Sequence, residues 1–118
     1  MTERRPSVLV LEDEALLAIE LSYLLTEEGF QVEGPASNVA VALDLIGKHS
    51  IDLAVLDVNL RGTSSSAVAD RLAELEIPFL FLSGHTREYL PERHRGRPLV
   101  EKPFAEAQLL TAIGTLIA

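Results

Sequence analysis

The sequence predicts an α/β domain in which a parallel sheet is covered by helices on both faces. Three observations carry this. Short, apolar, strand-like runs alternate with longer segments of helical periodicity along the chain. Four of the runs end at a polar group: Val8-Leu9-Val10-Leu11 leads into Glu12-Asp13, Leu53-Ala54-Val55-Leu56 into Asp57, Phe79-Leu80-Phe81-Leu82 into Ser83, and Val100-Glu101 into Lys102-Pro103. Ligand sites of open α/β sheets lie beyond the carboxyl ends of the strands, so parallel neighbours bring these acids, hydroxyl and ammonium to one edge.

The elements follow in order. Residues 7–11 read as a buried strand, short and β-branched between polar flanks. Residues 14–28 read as a helix with Leu17, Leu21, Leu24 and Leu25 on one stripe, stopped by Gly29. Residues 30–34 form a weaker second strand. Ser37 or Asn38 caps a helix to about Lys48, with Leu43 and Ile46 turned inward. Residues 52–56 are the central strand, 59–65 a loop, and a helix then runs to about Leu75. Residues 77–82 are a fourth strand that tolerates Pro78 at its start. Residues 99–101 are a short fifth strand, and residues 104–117 a last helix with Leu109, Leu110, Ile113, Leu116 and Ile117 on its apolar side. Between Gly84 and Pro98 the rhythm breaks. Pro91 and Gly96 interrupt any long helix, so one helical turn at most is expected, with Tyr89 and Leu90 as apolar anchors. Right-handed crossovers between five strands fit a flavodoxin-like (βα)5 doubly wound parallel sheet of order 2-1-3-4-5, its fourth helix short or irregular.

Composition narrows the function. The 118 residues suffice for one domain with a real core, and 47% of them are hydrophobic, which excludes a disordered chain. A net charge of −8 repels phosphate backbones and argues against direct nucleic-acid binding. Without cysteine there is no disulfide, thiolate metal site or cysteine nucleophile. No apolar run approaches the roughly 18 residues of a membrane span, and from the polar, basic start no signal peptide is expected. The expected compartment is the cytoplasm.

Glu12, Asp13 and Asp57 are three carboxylates on strands that this order makes neighbours. Close carboxylates repel, and a hard divalent cation such as Mg²⁺ relieves the repulsion. Asp13 taken alone also suits a helix cap, whereas Asp57 ends the most apolar strand with no helix directly behind it. Lys102 at a strand end wants an anionic partner, unless it is a surface lysine before a helix. Ser83 before Gly84 is either a turn-former or a hydroxyl donor to a phosphoryl oxygen. Together these parts suit formation of an aspartyl phosphate, with Asp57 as nucleophile and Mg²⁺, Lys102 and Ser83 neutralising the phosphoryl oxygens.

The ordered set Glu12-Asp13, Asp57, Ser83 and Lys102-Pro103-Phe104 resembles the receiver domain of two-component response regulators over nearly the whole chain. The Ser83-Gly84 pair before an irregular stretch is similar to an alphaproteobacterial-type, stand-alone branch. The resemblance implies a single-domain response regulator, residues 1–118 without an output domain, that signals through protein–protein contacts. It implies that Asp57 accepts phosphate from a histidine kinase or histidine phosphotransfer protein, and that the domain is not an enzyme but promotes its own Mg²⁺-dependent phosphorylation and dephosphorylation. It implies Mg²⁺ held by Asp13, Asp57 and the main-chain carbonyl of Asn59, with Glu12 acting through water, and a cis Lys102-Pro103 bond. A homodimer is one assembly open to such a domain. Two positions depart from the family pattern: Leu99 stands where an aromatic switch residue is usual, and the third loop has Gly62 but lacks the frequent proline.

Other readings fit less of the chain. An interaction module independent of phosphorylation would not need the acid–serine–lysine set. An aspartyl phosphohydrolase wants a general acid two residues after its nucleophile, where Asn59 stands. A flavin site would need a phosphate cradle that the first loop lacks. On the first helix, Leu16, Ile19 and Tyr23 form a second apolar stripe at i, i+3, i+7, which is either covered by the last helix or exposed as a partner-docking surface.

Overall fold

The computed structural model describes residues 5–84 and 90–117. Its strands are β1 Ser7–Leu11, β2 Gln31–Ala36, β3 Leu53–Asp57, β4 Asn59–Leu60, β5 Thr63–Ser64, β6 Phe79–Ser83 and β7 Leu99–Glu101. Its α-helices are α1 Ala15–Glu27, α2 Val39–Lys48, α3 Ser66–Glu74 and α4 Glu106–Ile117. Five strands form one sheet in the order β2-β1-β3-β6-β7, every pair parallel. This is the expected flavodoxin-like 2-1-3-4-5 order. It is interrupted only in numbering by β4 and β5, which pair antiparallel with each other in the stretch read as a loop.

Side chains alternate across the sheet and feed two cores. Val8, Val10, Leu53, Val55, Leu80, Leu82 and Val100 pack with Leu21 and Leu25 of α1 and Leu109 and Ile113 of α4. Leu9, Leu11, Ala54, Leu56, Phe79 and Phe81 pack on the other side with Ala42 and Ile46 of α2 and Val68, Ala69 and Leu72 of α3. Both faces are covered, so β1, β3 and β6 are buried at every residue, which is why they read as continuous apolar runs.

Local chemistry sets the boundaries. Gly29 ends α1 at φ +94°, a conformation that suits glycine. The Asn38 side chain accepts from the Val41 N–H at 2.9 Å and starts α2. On α2, Leu43 is exposed, contrary to the inward position read from the sequence. Ala42 and Ile46 face the sheet instead, with Val39 and Leu45 partly buried beside them. On α4, Leu109 and Ile113 are buried and Leu116 packs beside them, but Ile117 is half exposed. The second strand continues past Gly34 to Ala36, taking in Pro35, which an edge strand tolerates. Both Gly34-Pro35 and Lys102-Pro103 are cis.

Residues 85–89, with the expected anchor Tyr89, lie outside the described residues; after them, Leu90 is buried among the α2 and α3 core residues. Glu92–His94 then makes one 3-10 turn. The turn is clamped to α3. His94 Nε2 lies 2.7 Å from Asp70 Oδ1, and Arg93 donates to both oxygens of Asp70 at 2.8 and 2.9 Å. The Arg93 hydrogen bonds, then that of His94, hold the Asp70 carboxyl down at about 2. The buried His94 ring stands edge-on to Phe79 and Phe81, with centroids 5.8 and 6.1 Å away. Leu99 packs partly buried on the same core.

Candidate functional site

Sheet register assembles the site. Leu11 pairs with Leu56, so Glu12 emerges from β1 level with Asp57 at the end of β3. Asp57 pairs with Leu82, and Ser83 with Glu101, so Ser83 and Lys102 emerge one step along at the same edge. Main-chain bonds tie these ends together. Glu12 N–H donates to the Ala36 carbonyl at 2.9 Å, Val58 N–H to Leu82 at 3.0 Å, and Lys102 N–H to Ser83 at 2.8 Å. The result is a cleft of about 380 Å³ lined by Glu12, Asp13, Asp57, Asn59, Arg61, Ser83 and Lys102, among others. All the site residues read from the sequence meet there.

The cleft is acidic at its floor. Glu12, Asp57 and Ser83 are buried, and one carboxylate oxygen from each of Glu12, Asp13 and Asp57 lies within 4.8 Å of the other two. Lys102 Nζ stands 2.8 Å from Glu12 Oε1 and 3.4 Å from Asp57 Oδ2. Burial alone would lower the Lys102 ammonium, but the close contact with Glu12 and the charges of Asp57 and Glu12 outweigh it and hold it above the ordinary lysine range. Asp57 moves the other way for an acid. Burial first, and then the charge of Glu12, push its carboxyl up to about 6 against the pull of Lys102.

Asn59 plays two parts at the lip of the cleft. Its side chain accepts from the Gly62 N–H at 2.8 Å and closes the β4–β5 turn, while its own N–H donates to Asp57 Oδ1 at 3.4 Å. Asp13 does not cap α1: Glu14 occupies the cap position, and its N–H donates to Glu12 Oε2 at 3.1 Å. The partner of Asp13 is Arg61, whose Nε lies 3.2 Å from Oδ2. Sequence reasoning missed Arg61. The available signal was a cation in the loop after Asp57, next to the turn glycine Gly62.

The donor set fits a hard divalent cation. Three carboxylates converge, and the buried Glu12 Oε1 touches Lys102 but accepts no well-directed hydrogen bond. No other His or acid cluster of this kind occurs among the described residues.

Fold and edge chemistry together define a class of signalling domain, and comparison places the chain in it. Residues 8–114 match the family model described as the response regulator receiver domain, and the chain belongs to this family. It is thus a receiver domain of two-component systems, a class that binds Mg²⁺ through acidic residues. Among solved structures it is similar to SdrG from Sphingomonas melonis Fr1, with 36% identity and a TM-score of 0.85 over 99% of this chain and 100% of that one. It is also similar to the PhyR receiver domain of Erythrobacter litoralis, with 28% identity and a TM-score of 0.84 over 96% and 90% of the two chains. Among curated proteins it is 33% identical over 110 residues to the transcriptional regulatory protein PdtaR of Mycobacterium tuberculosis, covering 90% of this chain and 54% of that protein. The chain spans about half the length of the curated relatives it matches. Among the described residues no helix is long and apolar enough to cross a membrane.

Proposed function

We propose that this chain accepts a phosphoryl group on Asp57 from a phosphohistidine of a histidine kinase or phosphotransfer protein, and passes the signal on through protein contacts in the cytoplasm. The observation that carries this reading is the place of Asp57. Its carboxylate sits at the floor of an open cleft, beside two further acids and within reach of an ammonium. A solved BeF3-activated conformation of SdrG, to which this chain is 37% identical with a TM-score of 0.80, supports an activatable site here as well.

The chemistry divides among the residues present. An Asp57 oxygen attacks phosphorus as the bond to the donor imidazole nitrogen breaks, giving an acyl phosphate and a histidine that takes up a proton. Asp57 must be ionised to attack. With its carboxyl near 6, it is mostly so at neutral pH. Lys102, 3.4 Å from Asp57 Oδ2, is placed to neutralise an incoming phosphoryl oxygen, and Ser83 adds a hydroxyl at the same edge. Asp13, Asp57 and the Asn59 carbonyl, with Glu12 behind them, would hold Mg²⁺, which when bound supplies further neutralisation of phosphoryl charge.

A docking face adjoins the site. Leu16, Ile19 and Tyr23 on α1 are 74%, 64% and 69% exposed, so α4 does not cover them. A second cleft lined by Leu16, Leu17, Glu20, Lys102, Pro103 and Phe104 joins this stripe to the acid cleft. An exposed apolar surface continuous with the site suits the helices of the phosphodonor protein. The test is incubation with a small-molecule phosphodonor and Mg²⁺, read by intact mass. The wild-type chain gains one phosphoryl group and Asp57→Asn gains none; equal labelling of both proteins rejects Asp57 as the acceptor.

A further inference from the structure

We propose that Arg61 is a built-in counterion for Asp13 that competes with the divalent cation, and so sets the metal affinity of the cleft. The inference rests on the reading of Glu12, Asp13 and Asp57 as the metal site, and adds a residue to its control.

Arg61 is positioned by its turn. It stands at φ +51°, between Leu60 of β4 and Gly62 at φ +90°, and the Asn59 side chain closes the turn by accepting from Gly62. The tip of this hairpin overhangs the cleft, and Arg61 lines it. The guanidinium meets Asp13 Oδ2 at 3.2 Å, although the Arg61 side chain is 84% exposed. With so little of the side chain covered, charge rather than packing places it there. Asp13, by contrast, is 15% exposed and does not cap α1.

Charge counting gives the consequence. Three acids, Glu12, Asp13 and Asp57, face two cations, Lys102 and Arg61. A divalent cation among the acids balances them with Lys102 alone, which makes Arg61 surplus and repelled. Arg61 also engages Oδ2 of Asp13, one of the two carboxylate oxygens that residue can offer a metal. An exposed ion pair is weak, so displacement is cheap and the effect is graded, not a block. Because Arg61 is so exposed, the competition weakens as salt screens it.

The experiment is a Mg²⁺ titration of the unphosphorylated chain, followed by the amide NMR shifts of residues lining the cleft. The variants are Arg61→Gln, which keeps length and loses charge, and Arg61→Lys, which keeps charge. Arg61→Gln is expected to bind Mg²⁺ roughly three- to fivefold more tightly than wild type at low salt, with the gap closing at high salt. Arg61→Lys is expected to stay near wild type. Wild-type binding with an unchanged or weaker Kd in Arg61→Gln overturns the counterion role. So does Arg61→Lys tightening as much as Arg61→Gln, because the cause is then shape and not charge. A wild-type chain whose spectrum does not respond to Mg²⁺ overturns the metal-site reading itself, and the inference with it.

Discussion

Lys102 lies nearer to Glu12 than to Asp57: its Nζ is 2.8 Å from Glu12 Oε1 and 3.4 Å from Asp57 Oδ2. The Glu12 side chain is fully buried and that of Lys102 is 21% exposed, so the ammonium is a structural partner of a buried acid as well as a group aimed at the phosphoryl site. A lysine facing only a solvated site would add little to folding. This one leaves Glu12 uncompensated when removed. Lys102→Ala is therefore expected to lose phosphorylation and to lose about 1–3 kcal/mol of stability. Urea unfolding checks this, and the Glu12→Gln, Lys102→Ala double variant should recover part of the loss. An unchanged unfolding midpoint in Lys102→Ala contradicts the pairing.

Asp57 makes stability depend on pH. Its carboxyl is near 6 in the fold and near 3.8 in the unfolded chain. Between those values the folded state holds a proton that the unfolded state has released, so stability falls as pH rises from about 4 to about 6, and the full cost stands above that. The difference corresponds to roughly 3 kcal/mol at most, and an open cleft reduces this to about 1–2 kcal/mol through solvent screening. In metal-free buffer, Asp57→Asn is expected to stabilise the chain by that amount near pH 7 and to have little effect near pH 4. Thermal unfolding at the two pH values measures it. Equal stabilisation at both would assign the effect to packing.

Much of this was legible in the sequence because both faces of the sheet are covered. Continuous apolar runs marked β1, β3 and β6, and the group after each run marked the site edge. Leu43 was misplaced because α2 is apolar nearly all round, and periodicity cannot choose between Ala42 and Leu43 as the inward residue. The β4–β5 hairpin escaped because two-residue strands carry no period. The residues Glu12, Asp57 and Lys102 were legible, but not which acid the lysine prefers, since register and side-chain reach decide that. Arg61 and His94 were missed for a related reason: their partners Asp13 and Asp70 are distant in sequence, and no local pattern encodes the contact.

His94 should be the anchor of the turn after β6. It is 2% exposed, bonded to Asp70 and packed edge-on to two phenylalanines. His94→Ala removes a buried ring and a hydrogen bond together, and is expected to cost about 2–4 kcal/mol. Arg93→Ala breaks only an exposed fork on the same aspartate and should cost much less than His94→Ala. Chemical denaturation of the two variants compares them. An equal loss in both would mean that the ion pair, not the buried ring, holds the turn.

The α1 stripe predicts a separation of two rates. Polar substitution of Leu16 and Ile19, both exposed, leaves the acid cleft intact. Phosphotransfer from the cognate kinase or phosphotransfer protein is expected to slow by about tenfold or more, as for loss of central apolar contacts in an interface. Labelling by a small phosphodonor should be unchanged. A fall in both rates, or in neither, removes the docking role.

The central claim is that phosphate resides on Asp57, and the most direct measurement locates it chemically. The chain is labelled with a small phosphodonor and Mg²⁺, reduced with borohydride, digested and sequenced by tandem mass spectrometry. Reduction of an aspartyl phosphate leaves homoserine at the phosphorylated position. Homoserine in place of Asp57, lost when Mg²⁺ is chelated during labelling, is the predicted result. Homoserine at Asp13, or a phosphate that survives on a serine such as Ser83, would contradict the account.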